Sequence, residues 1–405
     1  MGQHLIAIPF HDWRKCAREG FRTRDAHLIE AFARVHGFEK IIVVNRPMTH
    51  LELVFRREVR DPGRMAVLRG AKWHVIRDRG CYIFEYFASG SVRQALEGRT
   101  WFFGAYGSHA LIEGLSEAMG ELGIVDPVAM SMNIRSAQLA EVLHERRIPI
   151  VFDAWDNWLR FPLGQGERDR ITEGYRRFAS LAEMWFTNSE KNRQEFTRRF
   201  GVGRCLVVPN GVDLVRFRAP FDEPEKLKPI PRPRAFFGGK ISHLFDAGLF
   251  NEVTRRLPRI QFVLAGQVLD RRLWRTVKRR RNVHYLGDIH YDEYPAYVKA
   301  SDVCIAPYVP CEKDSGGDGI KLYEYAAAGR PTVSTTGNGA RGLSAFVTIA
   351  HSPEDFAHAI LKSIETGSTL TGLPESGFSW DERAQTMLGQ FRGLPVKRVM
   401  RTVLR

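Results

Sequence analysis

The chain has 405 residues, 44% hydrophobic and 26% charged, and its 60 Lys and Arg against 46 Asp and Glu give a formal net charge of +14. That length exceeds what one core usually holds and favours two α/β domains, while the composition excludes a low-complexity or collagen-like chain. No apolar run approaches the roughly 20 residues that span a bilayer, and the N-terminus lacks the apolar core and cleavage site of a signal peptide. Five cysteines (Cys16, Cys81, Cys205, Cys304 and Cys311) are scattered without metal-ligand spacing, which fits a reduced, cytoplasmic protein. The basic excess calls for a phosphate-bearing substrate, anionic lipid or nucleic acid, or else a solvated basic surface.

Residues 5–9 read as a first strand. Residues 25–35 read as a helix with Leu28, Ile29, Phe32 and Ala33 on its apolar face, and 40–45 (KIIVVN) as a β-branched strand. Strands are predicted at 73–77 and 81–87, a helix at 110–122, a strand at 128–132, a helix at 137–145 and a buried strand at 149–153 ending in a carboxylate. This alternation predicts parallel βα units, whose sites lie at the carboxyl ends of the strands. Residues 219–233, rich in proline and charge, read as an exposed, extended linker. Beyond it, strands at 235–237, 261–265, 283–286 and 303–306 begin a second cycle. The expected organisation is an N-terminal domain over 1–218, a C-terminal domain over 234–377, and a C-terminal helix and basic tail over 378–405 that returns to the first domain.

Most chemistry is concentrated in residues 315–334, SGGDGIKLYEYAAAGRPTVS. A Gly316–Gly319 loop runs into a helix over about 320–328, and backbone N–H groups at such a helix start suit a diphosphate. Glu324 can accept hydrogen bonds from a ribose diol and Lys321 can offset phosphate charge; a solvated Lys–Glu pair on a surface helix is the plainer reading. In the first half, Asp153, Trp155, Asp156 and Trp158 stand after a buried strand. Carboxylates beside tryptophans suit sugar recognition, and Asp153 or Asp156 could act as a general base or simply cap a helix. Arg22, Arg24 and His27 lie in or just after the first strand–helix loop, and His109 lies further on; each could touch an acceptor or donor phosphate, or be merely exposed.

Several stretches in order resemble GT-B glycosyltransferases of the group 1, family 4-like kind. They are WFTNSE at 185–190, VPNGVD at 208–213 with Phe217, FFGGKI at 236–241, FVLAG at 262–266, Gly287-Asp288, Ser301-Asp302-Val303, the 315–334 segment, and FSWD at 378–381. The resemblance is clearest over residues 145–390. It implies two Rossmann-like doubly wound domains facing a cleft and transfer of a hexosyl group from a nucleotide-sugar, a UDP- or GDP-sugar. The acceptor would be a glycan or lipid-linked molecule, and no further cofactor and no metal are implied, since no D-x-D pair sits in a suitable loop. Carried over by position, donor contacts fall on Gly238, Gly239, Lys240, Asp314, Gly317, Asp318, Gly319, Ile320, Lys321 and Glu324, with Lys240 aiding catalysis. The family's first glutamate falls on Gly316, with Asp314 and Asp318 as neighbouring substitutes. The KLYEY helix is similar to that of enzymes building bacterial surface polysaccharides.

The tail over 392–405 alternates basic residues (Arg392, Lys397, Arg398, Arg401, Arg405) with apolar ones, fitting either a helix on an anionic membrane surface at the cytoplasmic face or one packed on its own protein. No nucleic-acid module is present. Competing readings are an inactive GT-B scaffold, a basic binder of an anionic polymer and a sugar-nucleotide epimerase.

Overall fold

Short runs of β-branched and aromatic residues, buried on both faces, are what strands covered by helices on two sides require, and Ile41–Val44, Met184–Thr187 and Val303–Ala306 are of this kind. A computed structural model describes residues 3–56, 65–310, 312–367, 372–391 and 393–394. The chain divides into one unit of Met1–Ala17, Thr23–Val208 and Ala384–Arg405, and a second of Arg18–Arg22 and Pro209–Arg383. The basic tail expected over 392–405 lies outside the described residues apart from Gly393 and Leu394.

The first unit has a sheet built from β1 (His4–Ile8), β2 (Ile41–Val44), β3 (Met48–Thr49), β4 (Ala66–Arg69), β5 (Trp73–Asp78), β6 (Cys81–Ala88), β7 (Pro127–Ser131), β8 (Ile150–Asp153), β9 (Met184–Thr187) and β10 (Cys205–Val207). Its order is β10-β9-β8-β7-β1-β2-β6-β5-β4, with β3 paired to β6. β1 pairs in parallel with both β2 and β7, through Leu5 with Ile41 and Ile6 with Ala129. The chain therefore reverses its direction of travel across the sheet beside β1, and in open α/β sheets ligands bind outside the carboxyl ends of strands at such a point. The parallel rhythm expected through 73–87 is not what forms: β5 and β6 are an antiparallel hairpin. Arg79 and Gly80 turn it with φ of 48° and 78°, the two positive values that match a hairpin to strand twist.

The second sheet comprises β11 (Arg234–Gly238), β12 (Gln261–Ala265), β13 (Val283–Tyr285), β14 (Val303–Ala306), β15 (Thr332–Ser334) and β16 (Thr348–Ile349). All pairs are parallel and the order is β13-β12-β11-β14-β15-β16, the doubly wound arrangement that switches between β11 and β14. The stretch read as an exposed linker is folded into this unit. Leu227 and Ile230 are buried in its core, and the amides of Leu227 and Ile230 donate to the carbonyls of Pro224 and Leu227. The PNGVD segment likewise opens the second unit rather than closing the first.

In the first unit the aromatic core is centred on Phe178, whose ring stacks on Phe152 at 3.9 Å and 5°, with the Trp185 ring edge-on to Phe152 at 4.9 Å. Truncating a fully buried phenylalanine removes its transfer energy and leaves a cavity, costing about 3–5 kcal/mol. Phe178→Ala should lower the first unit's melting transition in calorimetry by roughly 6–15 °C.

Candidate functional site

In the second unit, the loops leaving β11, β12 and β14 converge. Gly238-Gly239-Lys240 follows β11, where a Cβ on Gly239 would come within 2.4 Å of Lys321 Cε, and one on Gly266, after β12, within 2.2 Å of the Gly239 carbonyl. Glycine is needed at Gly266, where the neighbour is backbone and φ is 128°, whereas at Gly239 it leaves room for the end of the Lys321 side chain. Lys321, in the first turn of the helix Ile320–Ala327, lays its ammonium over the rings of Phe237 and Tyr308 at 5.5 and 4.9 Å and donates to the Tyr308 hydroxyl. A second cation thus stands beside the β11 loop, near the half-buried Lys240.

Glu324, one turn further on, is 4% exposed. It is no surface Lys–Glu pair: Oε1 accepts from the Tyr291 hydroxyl at 2.7 Å, and no protein donor reaches Oε2 among the described residues. The two aspartates considered as substitutes for the acid at Gly316 are engaged elsewhere. Asp314 accepts from the amides of Gly316 at 2.8 Å and Asn338 at 2.6 Å. Asp318 accepts from the Asn210 amide at 2.8 Å and the Tyr323 hydroxyl at 2.9 Å, while its carbonyl takes the Asn210 side-chain amide at 2.6 Å. Both carboxylates hold the glycine loop and its surroundings in place. Gly317 and Gly319 are buried within that loop and Ile320 opens the helix. Arg22 is also spoken for: it grips Asp288 with two hydrogen bonds of 2.7 and 2.9 Å and pairs with Glu19 at 3.0 Å. It holds the end of β13 rather than standing open to an acceptor.

In the first unit, Asp153 and Arg24, expected to act separately, form a buried two-point ion pair of 2.9 and 3.2 Å. A carboxylate sealed against a guanidinium is a structural anchor. His27 is buried inside its helix. His109 is 84% exposed and pairs with Glu113 one turn along. Asp156 is half-buried, and its carbonyl accepts from the Tyr175 hydroxyl. Trp155 and Trp158 do gather, edge-on at 5.8 Å. Phe10 stacks on Trp158 at 4.4 Å, and His11 lies nearly parallel to Trp155 at 6.0 Å. The indole Nε1 of Trp155 is buried with no hydrogen-bond acceptor among the described residues.

His11 was not singled out from sequence, yet it sits just past the carboxyl end of β1 at the switch point. Asp25, fully buried, accepts from His11 Nδ1 at 3.0 Å, from the His11 amide at 2.8 Å and from the Thr23 hydroxyl at 2.5 Å. Burial opposes its charge, but the His11 charge and these hydrogen bonds hold the carboxyl well below its usual range. An ionised Asp25 has no proton to give, so Nδ1 is the donor, and in neutral His11 the lone pair is on Nε2.

The profile of the family described as "Glycosyl transferases group 1" matches residues 242–366. Those residues are similar to that family's domain. TuaH of Bacillus subtilis strain 168, whose name describes a teichuronic acid biosynthesis glycosyltransferase, is 25% identical over 200 residues, 46% of this chain and 50% of TuaH. The chain thus spans about half the length of that relative. Among solved structures, Anabaena HepE in complex with UDP and glucose superposes with a TM-score of 0.66 at 13% identity, covering 96% of this chain and 99% of HepE. A UDP-forming α,α-trehalose-phosphate synthase from Burkholderia xenovorans gives 0.65 at 12%, covering 97% and 99%. The fold is GT-B.

Within the matched residues, burial drives the Glu324 carboxyl up to about 7, although the Tyr291 hydrogen bond and the charges of Lys321, Arg216 and Arg22 work the other way. The folded state therefore holds a proton that the unfolded chain releases above pH 4.5. This group's contribution is favourable in acid and is lost as pH rises towards 7. Glu324→Gln should accordingly melt higher than wild type at pH 8 and gain nothing at pH 4.5, as read by thermal unfolding at the two values. Among the described residues no three His, Cys, Asp or Glu side chains cluster as metal ligands.

Proposed function

We propose that this protein is a glycosyltransferase of Leloir type that moves a sugar from a nucleoside diphosphate sugar, most simply a UDP-sugar, onto a glycan or lipid-linked acceptor during polysaccharide synthesis. The observation that carries the reading is the buried Glu324 one turn behind Lys321, on the helix that follows the glycine loop at the β11–β14 switch point. In this reading the ribose diol donates to Glu324, while Lys321, Lys240 and backbone N–H groups of the β11 and glycine loops meet the diphosphate. They stabilise the charge that grows on the leaving nucleoside diphosphate. No step is assigned to a metal. The names of TuaH and of the HepE complex support both the polysaccharide setting and the UDP base.

The acceptor reading rests on the first unit. The half-buried Trp155 suits a pyranose ring, with Trp158 packed behind it between Phe10 and Phe161. The His11 Nε2 lone pair suits a sugar hydroxyl, with Asp25 fixing the tautomer and Asp156 close in sequence. A cytoplasmic enzyme at the inner membrane face would meet a lipid-linked acceptor there. A second reading, binding without turnover, is favoured by one fact: Asp314 and Asp318 are both occupied, so no acid stands in for the one absent at Gly316.

A thermal-shift panel of UDP, GDP, ADP, CMP and dTDP tests the donor. A ligand at 100 times its Kd should stabilise by about 2.7 kcal/mol. UDP should raise the melting temperature of wild type and not of Glu324→Ala; no response to any nucleotide would remove the donor-site reading. His11→Ala and Asp25→Asn should keep the UDP shift but lower transfer to acceptor by roughly 100-fold, within the usual range for a positioned proton acceptor. Transfer at wild-type rate by either variant would dismiss the acceptor assignment.

A further inference from the structure

Most arginines of the second unit that lie near an acid are matched to it, as Arg216 is with Asp292, Arg232 with Asp302, and Arg255 and Arg256 with Glu252. Residues 271–281 are different. Arg271, Arg272, Arg275, Lys278, Arg279, Arg280 and Arg281 are seven cations in eleven positions with no acid among them, all but Arg280 exposed. None meets a carboxylate among the described residues. The neighbouring Asp270 spends its Oδ1 on the amides of Arg272 and Leu273 as a helix cap.

Only the second half of this run lies away from the donor loops, since the amides of Leu269 and Asp270 donate to the Ile241 carbonyl next to Lys240. Residues 277–282 lead into β13 and so lie at the amino ends of a parallel sheet, whereas the glycine loops leave the carboxyl ends. β13 is also the edge strand. Its Tyr285, at the carboxyl end of the strand, is 41% exposed, packs on the Trp274 ring at 4.8 Å and donates its hydroxyl to the Gly266 carbonyl; Leu269 is 58% exposed. The run is held rigidly. Asn251 accepts from the Lys278 amide and donates to the Thr276 carbonyl, and Asn282 donates to the carbonyls of Thr254, Leu257 and Ile260.

We propose that this edge of the second unit is a docking surface for an anionic lipid bilayer, the cations meeting headgroup phosphates while Leu269, Trp274 and Tyr285 enter the headgroup boundary. Unmatched cations supply the attraction to anionic lipid, and an exposed leucine with an aromatic pair supplies the shallow apolar anchor that a lipid surface rewards. Nucleic acid fits less well, because the two rings are packed on each other instead of standing singly between cations as stacking platforms. The inference extends the lipid-linked part of the reading above and is tested without its chemistry.

The test is co-sedimentation of the full chain with vesicles of phosphatidylcholine alone or mixed with phosphatidylglycerol. It compares wild type, the variant Arg271→Gln/Arg275→Gln/Lys278→Gln/Arg279→Gln, and a chain ending at Leu394 that lacks the basic tail. Wild type and the shortened chain should bind phosphatidylglycerol vesicles in a salt-sensitive way, and the quadruple variant roughly tenfold or more weakly. Arg279→Gln/Arg281→Gln, at two exposed loop positions, should show a smaller loss in the same direction with little risk to the fold. The proposal is overturned if the charge variants bind like wild type, if removing the tail alone abolishes binding, or if wild type ignores phosphatidylglycerol and is retained on an RNA homopolymer instead. The nucleotide thermal-shift panel on each variant reports the donor site separately: vesicle binding without a response of wild type to any of the five nucleotides would remove the donor-site reading and leave this one standing.

Discussion

A carboxylate taken out of water is costly as an ion unless donors answer its charge. Glu324 is buried, and among the described residues its hydrogen bond comes from Tyr291. The surrounding site can be understood from that constraint. The side chain reaches its position because the helix Ile320–Ala327 is buried along nearly its whole length, and that helix is aimed by the glycine loop before it. A ligand carrying two adjacent hydroxyls would supply the donors the protein withholds. Lys321, on the same helix, answers a different charge, since its ammonium is turned to the β11 loop and the rings of Phe237 and Tyr308.

Around this pair the second unit spends its other acids on geometry. Asp314 and Asp318 take backbone amides from three separate segments, and Asn210 returns two hydrogen bonds to Asp318. The loops at the β11–β14 switch point are thereby fixed before any ligand arrives, which is the preorganisation electrostatic catalysis depends on. In the first unit a similar economy holds: Asp153 anchors Arg24, and Asp25 anchors His11 beside an aromatic wall.

The strands 261–265 and 303–306 are legible because each holds a continuous apolar run of four residues bounded by polar or glycine punctuation, which has few other readings. The helix carrying Glu324 was legible for the same local reason, a glycine loop before it and Gly329 and Pro331 after it. What escaped depended on distance along the chain. Asp153 and Arg24 are 129 residues apart, Glu324 and Tyr291 33, and no local pattern reports such pairings. Two apolar residues, Leu227 and Ile230, within a proline-rich charged stretch looked like a linker and are core. The 73–88 hairpin was read as parallel units because Arg79-Gly80 lacks the usual Asn-Gly signature. His11 adjoins the first strand, but its significance arises only when Asp25 folds back on it.

The central claim is that the Glu324 carboxylate receives the ribose diol of a nucleoside diphosphate, and the carboxyl is pushed up to about 7 in the free protein. Binding must then expel its proton near neutral pH. Calorimetric titration of UDP at pH 6.5, in buffers of different ionisation enthalpy, measures this directly. Because the UDP phosphate itself sheds protons at this pH, the expected result is a release larger in wild type than in Glu324→Gln by roughly half a proton or more, the difference vanishing at pH 9. UDP binding with no proton release at pH 6.5, or the same release in Glu324→Gln, would contradict it.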